Sequence, residues 1–281
     1  MNSKTEPAAP MTRAVFQPGH LLALLAGLLV ASGCASRPAP GTEASLTVMT
    51  YNIRHGRGMD DRLDLERIAR LINEHRPDLV ALQEVDRGVA RTQGRDLPGE
   101  LSRLTGMTVV FGKNIDHQGG DYGNAILSRH PVLASTNLHY RMLRQGEQRG
   151  LLQTTIDLRG EQITFLSTHL DFRPDPAERL GNVVEIKAAI DARPGQLTIV
   201  AGDFNDHPGG EVHEALKATF VDAWEAAGSG AGFTHSSTQP KSRIDYVYVR
   251  PVNGWTVTRA EVLPSLASDH LPLLVELRRR Q

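Results

Sequence analysis

Residues 197–208 read LTIVAGDFNDHP, a short apolar run that ends in a glycine and then in strongly polar side chains. The aliphatic and β-branched residues 197–201 are typical of a buried strand. Asp203 and Asn205 follow, two positions apart. Because side chains alternate along a strand, this spacing predicts that both project from one face. A strand that delivers a carboxylate and a carboxamide at its end indicates a polar site at the edge of a sheet.

The same pattern recurs along the chain, where apolar runs end in side chains that can transfer protons or bind metals. The candidates are Asn52, Glu84, His169, Asp203, Asn205, Asp245, Asp269 and His270. Polar groups collected against a core are costly unless they are paired or bound to metal. The set offers oxygen ligands and no thiol, which favours Mg²⁺, or Mn²⁺, over zinc. Carboxylates beside histidines are typical of phosphoester hydrolysis.

The periodicity predicts about ten strands and three helices. The strands are 46–52, 78–85, 108–111, 124–128, 151–158, 162–169, 197–203, 244–250, 255–262 and 271–277, with a tight hairpin at 159–160. The helices are 64–76, 176–192 and 211–218. An average sheet holds fewer than ten strands. The pattern therefore predicts two packed sheets with helices outside them.

The N-terminal segment has the features of an export signal. Residues 21–30 read LLALLAGLLV, which is too short for a membrane span of about 20 residues but suits a signal-peptide core. Residues 31–34, Ala-Ser-Gly-Cys, resemble a bacterial lipobox, so Cys34 is the expected lipidation site. A plain secretory signal and an uncleaved anchor are the alternatives. Ala35 after the cysteine favours an outer-membrane lipoprotein that faces the periplasm.

The expected layout has three parts. Residues 1–34 form a lipoprotein signal peptide, 35–45 a Pro/Ala/Ser-rich tether, and 46–281 one catalytic domain. The lipid anchor would bind the membrane, and a monomer is expected. The net charge of −1 provides no global field that attracts nucleic acid. Residues 87–103 carry four arginines, but interleaved acidic residues favour a solvated loop over a phosphate-facing rim.

Seven motifs occur in one order along the predicted domain. They are YNIR (51–54), LQEVD (82–86), YGNAILSR (122–129), STHLD (167–171), GDFND (202–206), RIDYVYV (243–249) and SDHLPL (268–273). In this order the chain resembles the endonuclease/exonuclease/phosphatase superfamily. The resemblance implies an α/β (α+β) fold like that of deoxyribonuclease I, a four-layer sandwich of two mixed β-sheets flanked by helices. It also implies a divalent-metal-dependent hydrolase that acts on phosphodiester or phosphomonoester bonds.

The resemblance implies roles for individual residues. Asp203 and Asn205 would contact the phosphate and the attacking water, with Asp203 as a base. His270 would pair with Asp245 and would activate water or stabilise the transition state. His169 would donate to the phosphate or protonate the leaving group.

The metal site implied by the resemblance comprises Asn52 and Glu84, with Asp269 as a further carboxylate. Mg²⁺ is the expected ion, and Mn²⁺ is the alternative.

Three further residues are expected to bind substrate, namely Arg149, Asn124 and Tyr122. The carboxylate that partners His169 is left open between Asp121 and Asp171. Taken singly, each candidate has a structural alternative, such as a turn cap or a surface ion pair.

The substrate is a phosphate ester of a lipid, a small molecule or a nucleic acid. Envelope tethering favours lipid head groups or small phosphoesters, and the motif set also resembles that of GPI-anchor lipid-remodelling proteins. An extracytoplasmic nuclease is the alternative within the enzyme class. A catalytically silent lipoprotein that binds a phosphorylated ligand is the alternative outside it, but no expected catalytic residue is replaced.

Overall fold

The computed structural model describes residues 44–250 and 252–279. The predicted signal peptide, Cys34 and nearly all of the predicted tether lie outside the described residues. Within the described chain the polypeptide forms two six-stranded sheets with helices packed on their outer faces. No helix in this part of the chain combines the length and the hydropathy needed to cross a bilayer.

Sheet A contains the N-terminal and C-terminal strands of the domain. Its strands are β1 (Ala44–Asn52), β2 (Leu79–Arg87), β3 (Thr108–His117), β4 (Gly120–Ser128), β11 (Trp255–Val262) and β12 (Leu273–Arg279), in the order β11-β12-β1-β2-β4-β3. β1 and β2 are parallel and the other pairs are antiparallel. The sheet is therefore mixed, as the resemblance implies.

Sheet B is built in the same way from the middle of the chain. Its strands are β5 (Val132–His139), β6 (Gly150–Leu158), β7 (Glu161–His169), β8 (Thr198–Asp203), β9 (Val221–Asp222) and β10 (Asp245–Arg250), in the order β5-β6-β7-β8-β10-β9. β7 and β8 are parallel, and the remaining neighbours are antiparallel. The predicted two-residue hairpin between β6 and β7 is confirmed.

Five α-helices lie outside the sheets in the described part of the chain, and capping residues mark where the first two begin. The helices are α1 (Leu65–His75), α2 (Leu97–Thr105), α3 (Ala177–Asp191), α4 (Glu211–Lys217) and α5 (Ala223–Ala227), with short 3₁₀ turns at Arg54–Gly56 and Ala90–Thr92. Asp64 caps α1 by accepting the backbone N–H of Arg67 at 3.2 Å. Arg76 ends α1 in the left-handed conformation, immediately before Pro77. The three predicted helices are confirmed within two residues at each end.

Three apolar clusters hold the layers together. The central cluster joins sheet A residues such as Val48 and Ala81 to sheet B residues such as Phe165 and Ile199. A second cluster packs α1 and α2 on the outer face of sheet A. A third packs α3 and α4 on the outer face of sheet B. The order helices, sheet, sheet, helices is the four-layer sandwich expected for the deoxyribonuclease I-like fold.

Some elements differ from the prediction for identifiable reasons. β5 was not predicted because it is an edge strand with mostly exposed side chains, and it lacks the apolar alternation of the other strands. α2 contains Pro98 and Gly99, which favour a loop, but Asp96 caps the helix and proline is compatible with a first turn. The predicted solvated loop over 87–103 is therefore helical in its second half.

Candidate active site

Three polar side chains meet at one end of sheet B because their strands are in register. β7 is parallel to β8 and pairs His169 with Asp203, and β10 is antiparallel to β8 and pairs Asp245 with Asp203. Neighbouring strands lie about 4.8 Å apart, so the imidazole and both carboxylates share one edge. All three residues are buried. The sheet register thus confirms that these strand ends converge.

Sheet A reaches the same point through Asn52, the last residue of β1. Its Nδ2 donates to Oε1 of Glu84 at 3.0 Å and to Oδ2 of Asp203 at 3.1 Å. Its Oδ1 accepts the backbone N–H of Arg54 at 3.1 Å. Asn52 is fully buried, so the carboxamide joins carboxylates from both sheets away from bulk water.

Oδ2 of Asp203 lies at the centre of the site, close to polar side chains of three other residues. Besides the Asn52 amide, Nε2 of His169 lies 3.4 Å from it and Nε2 of His270 lies 3.7 Å from it. The Asp203 side chain is only 1 % exposed. Burial, followed by the negative charge of Asp245, raises its pKa from 3.8 to about 7. A carboxylate with such a pKa can accept a proton at neutral pH.

Asn205 lines the same cavity as Asp203, but strand alternation does not place it there. β8 ends at Asp203, and Asn205 adopts a left-handed conformation with φ of 49°. Its backbone N–H donates to Oδ1 of Asp203 at 3.0 Å, and its Nδ2 donates to the Leu170 carbonyl at 3.0 Å. The period-two argument is therefore wrong in detail, because a turn that asparagine tolerates well brings the two side chains together.

His270 and Asp245 form the predicted pair. Nδ1 of His270 lies 2.8 Å from Oδ2 of Asp245. Burial alone would lower the pKa of His270, but the adjacent Asp245 carboxylate, assisted by Asp203 and Asp269, raises it to about 10. His270 is therefore a cation at neutral pH, with its Nε2–H directed toward Asp203 and the cavity.

His169 is in the opposite charge state. Burial, with the positive charges of Arg149 and His270, lowers its pKa well below the ordinary value of 6.5. Neither proposed carboxylate partners it, because Asp121 binds Arg87 and Lys113 while Asp171 binds Arg173. Asp203 is the carboxylate beside His169 among the described residues. The imidazole is neutral at pH 7 and can donate one hydrogen bond.

Glu84 lies in an irregular part of β2 instead of at its end. The register between β2 and β4 shifts between Leu82 and Val85, and Glu84 adopts a φ of 57°. This β-bulge turns a side chain out of the strand alternation. Burial, with the charge of Asp269 among further causes, raises the pKa of Glu84, while the hydrogen bond from Asn52 lowers it.

The polar end of both sheets opens into a cavity of about 340 Å³. The predicted residues that line it are Glu84, Tyr122, Arg149, His169, Asp203, Asn205 and His270. Arg149 is buried, and its guanidinium is 3.0 Å from Glu147. Asn124 is absent from this lining. It is 1 % exposed and donates to the Gly150 carbonyl at 3.3 Å, which places it behind the wall as a structural residue.

Four lining residues were not among the sequence candidates, namely Glu147, Phe172, His235 and Ile244. Phe172 directly follows the STHLD motif and is 66 % exposed, although phenylalanine is usually buried. His235 belongs to none of the seven motifs. Its sequence position gives no sign that its backbone pairs with that of His270.

Three of the four arginines in residues 87–103 form ion pairs with nearby carboxylates. Arg87 binds Asp121, Arg91 binds Asp86 and Arg95 binds Glu100. Ion pairs within the protein account for these three arginines. They favour a structural role for the segment over a phosphate-facing rim.

Comparison with known proteins agrees with this geometry. The sequence profile of the endonuclease/exonuclease/phosphatase family matches residues 49–270. The chain belongs to this family. YbhP of Escherichia coli K12 is 27 % identical over 256 residues, which cover 85 % of this chain and 99 % of YbhP. The 5'-tyrosyl-DNA phosphodiesterase of Caenorhabditis elegans is 29 % identical over 221 residues, 72 % of this chain and 54 % of that protein.

Solved structures of the endonuclease/exonuclease/phosphatase family show the same fold. A family protein from Bacteroides thetaiotaomicron superposes with a TM-score of 0.72 at 18 % identity, over 86 % of this chain and all of the other. The mannosyl-6-phosphatase of the same organism gives a TM-score of 0.70 at 19 % identity, over 83 % of this chain and 99 % of the other. Members of this family are hydrolases of phosphoester bonds and typically use divalent metals.

The donor set beside Asn52 fits a divalent metal of this kind. Glu84 and Asp269 are close enough for the charge of Asp269 to raise the pKa of Glu84. Nε of Arg54 lies 3.7 Å from Oδ2 of Asp269. Oxygen donors of this type suit Mg²⁺ and Mn²⁺. Asp203, Asp245 and His270 also lie within 4.8 Å of one another, but Nδ1 of His270 already faces Asp245. That contact fits a hydrogen-bonded pair better than a metal site.

Proposed function

We propose that this protein is a divalent-metal-dependent phosphoesterase that hydrolyses a phosphodiester or phosphomonoester by water attack. The observation that carries the proposal is the placement of the buried Asp203 carboxylate between a neutral and a cationic imidazole. A base and an acid with opposite charge lie side by side at one cavity wall. Such a pair serves proton transfer to and from a reacting group.

Asp203 acts as the base in this proposal. It takes a proton from water as the water oxygen bonds to phosphorus and the bond from phosphorus to the leaving oxygen breaks. The leaving oxygen takes the proton of His270 Nε2, and Asp203 then returns its proton to His270 across 3.7 Å. The charge states favour His270 over His169 as the proton donor, because His169 is already neutral.

Phosphate binding is assigned to donors on the cavity wall. Arg149 presents a guanidinium whose Nε has no hydrogen-bond partner among the described residues. His169 contributes an N–H, and Tyr122 contributes a phenol that stays protonated because burial raises its pKa. The Arg149 guanidinium neutralises charge on the equatorial oxygens, and the neutral His169 and Tyr122 donate hydrogen bonds that align the phosphate with Asp203.

Glu84 and Asp269 would hold the metal, with Asn52 supporting Glu84. The bound cation would supply neutralisation of the charge on the phosphate. The hydrogen bond from Asn52 fixes the orientation of the Glu84 carboxylate, as outer partners of metal ligands do.

The substrate is proposed to be a lipid head group or a small phosphoester. A volume of about 340 Å³ holds a compact phosphorylated group, and the exposed Phe172 ring adds apolar surface at the cavity wall. The net charge of −1 gives little attraction for a polyanion. The chain is similar to a 5'-tyrosyl-DNA phosphodiesterase and shares the fold of a mannosyl-6-phosphatase. Nucleic acid and sugar phosphates are therefore the alternative substrates.

A location in the cell envelope completes the proposal. Cys34 after the apolar run 21–30 supports lipidation and attachment to the outer membrane on the periplasmic side. Metabolic labelling with a fatty acid, compared between the wild type and Cys34→Ala, tests this attachment. Label on the wild type alone is the expected result, and equal labelling would refute the assignment.

The activity is tested with purified protein in Mg²⁺, Mn²⁺ or EDTA. Bis-p-nitrophenyl phosphate, phospholipid vesicles and plasmid DNA are offered side by side. His270→Ala removes the proposed acid, and His75→Ala at the exposed end of α1 is the matched control. We expect metal-dependent turnover of the diester or the vesicles, lost in His270→Ala and retained in His75→Ala.

Preferential cleavage of DNA would replace the lipid or small-molecule substrate with nucleic acid. Absence of turnover together with absence of metal binding would refute the phosphoesterase proposal and favour a silent ligand-binding protein.

A further inference from the structure

His235 lines the cavity but has no role in the proposed reaction. Its ring centroid lies 4.8 Å from that of His270, at 52°. Within residues 44–250 and 252–279, no group forms a hydrogen bond with a ring nitrogen of His235. His235 is one of the residues that line the cavity. The other two cavity imidazoles lie against carboxylates.

The backbone that carries this ring is firmly held. The His235 N–H donates to the Ser242 carbonyl at 3.0 Å, and the His235 carbonyl accepts the N–H of Ser242 at 2.9 Å. The preceding residue is fixed too, because Oγ1 of Thr234 accepts the backbone N–H groups of Ile244 and Asp245, both at 3.2 Å. His235 is thus anchored to the segment that leads into β10. A ring placed by so many contacts can recognise a ligand without a large ordering cost.

The charge state of His235 follows from its position in the cavity wall. Burial lowers the pKa of His235 below the ordinary value of 6.5, so the ring is neutral at pH 7. A neutral imidazole offers one N–H and one lone pair.

Phosphate oxygens are acceptors and cannot satisfy that lone pair. The cavity already supplies donors for phosphate from Arg149, His169 and Tyr122, as proposed above. The ring is only partly buried, so water can satisfy its lone pair in the free protein. A ligand that displaces this water must offer a donor in its place, and a hydroxyl group is the simplest one. Glu147 adds a carboxylate acceptor to the same cavity.

We infer that His235 contacts the substrate by accepting a hydrogen bond from a hydroxyl group next to the scissile phosphate. The substrate class is then a phosphoester whose organic group carries hydroxyls, as in glycerol or sugar esters. The inference rests on the proposed phosphoesterase function and makes it more specific. His235 becomes a specificity-determining residue, separate in role from Asp203 and His270.

The test compares two phosphodiesters that release the same product. Glyceryl p-nitrophenyl phosphate and propyl p-nitrophenyl phosphate differ in two hydroxyl groups, and both give p-nitrophenolate. We expect the wild type to show a kcat/KM about 10-fold higher for the glyceryl ester, the value of one good hydrogen bond. His235→Phe keeps a ring against His270 but removes both nitrogens, and should bring the ratio close to one.

Two further variants keep the result interpretable. His235→Asn retains a donor and an acceptor and should restore part of the preference, and it carries the test if the phenylalanine variant does not fold. His75→Phe makes the same exchange at an exposed position on α1 and should keep the wild-type ratio.

The outcomes separate this inference from the proposed function. Equal turnover of both esters by the wild type, or an unchanged ratio in His235→Phe, would overturn the role of His235 while the phosphoesterase stands. Absence of metal-dependent turnover of either ester would overturn both.

Discussion

Replacing Asp203 with asparagine should stabilise the metal-free protein while inactivating it. Asp203 is 1 % exposed and close to Asp245 on the adjacent strand, so its ionised form is unfavourable. Its pKa rises from 3.8 to about 7 on folding. Because the folded pKa is the higher one, the ionisation penalty is absent below pH 3.8, grows between pH 3.8 and 7, and is constant above pH 7.

The magnitude follows from the same two values. One pH unit corresponds to ~1.4 kcal/mol, so the rise from 3.8 to about 7 makes ionised Asp203 cost ~4 kcal/mol at pH 8. This is an upper limit for the gain in stability. The amide oxygen can still accept the backbone N–H of Asn205, but the amide NH₂ then faces Nδ2 of Asn52, which is also a donor. A realistic gain is ~1–3 kcal/mol, which raises the melting temperature by about 2–10 °C for a domain of this size.

The assay is thermal unfolding in EDTA at pH 8 and at pH 4. Asp203→Asn should melt higher than the wild type at pH 8. The difference should shrink or reverse at pH 4, where the wild-type carboxyl is protonated and the contact between the new amide and Asn52 still costs stability. Asp191→Asn, at a side chain that is 66 % exposed, should show no such dependence on pH. Hydrolysis by Asp203→Asn should fall at least ~100-fold. A lower melting temperature at pH 8, or the same shift at both pH values, would refute the assignment of Asp203 as a buried base whose ionised form is unfavourable.

Three further substitutions test other parts of the site. Asp245→Asn removes the carboxylate that keeps His270 charged, so NMR titration should show its pKa well below the present value of about 10, with kcat reduced ~10²–10⁴-fold. Glu84→Gln should weaken Mn²⁺ binding at least ~10-fold by calorimetry, because a proposed ligand loses its charge. Asp222→Asn leaves the buried Arg243 guanidinium without its main counter-charge, and urea unfolding should show a loss of ~3–5 kcal/mol.

The sequence predicted the parts of the site that regular strands determine. β7 and β8 were recognised as apolar runs, and each ends at a polar residue. Once the two strands pair in parallel, His169 and Asp203 must be neighbours. The two-sheet core was predictable for a similar reason, because ten apolar runs exceed what one sheet accommodates.

The parts that strand periodicity does not determine were missed or misplaced. The chain departs from regular structure at Glu84 and Asn205, and no apolar pattern records a bulge or a left-handed turn. His235 and Phe172 lie outside the strands, where tertiary contacts decide which side chains reach the cavity. Asn124 was expected to bind substrate, but its side chain is buried and donates to the Gly150 carbonyl of β6.

The irregular backbone at Glu84 and Asn205 couples the site to the packing of the two sheets. A left-handed φ at a non-glycine residue costs of the order of 1–3 kcal/mol and persists only where neighbours hold it. Glu84 in sheet A is held by the Asn52 amide, and the same amide binds Asp203 of sheet B. Asn205 is held in turn by Asp203 and by the Leu170 carbonyl. The proposed metal ligand and the proposed base are therefore linked through one buried carboxamide, so a shift of one sheet against the other would disturb both before either sheet lost its own hydrogen bonds.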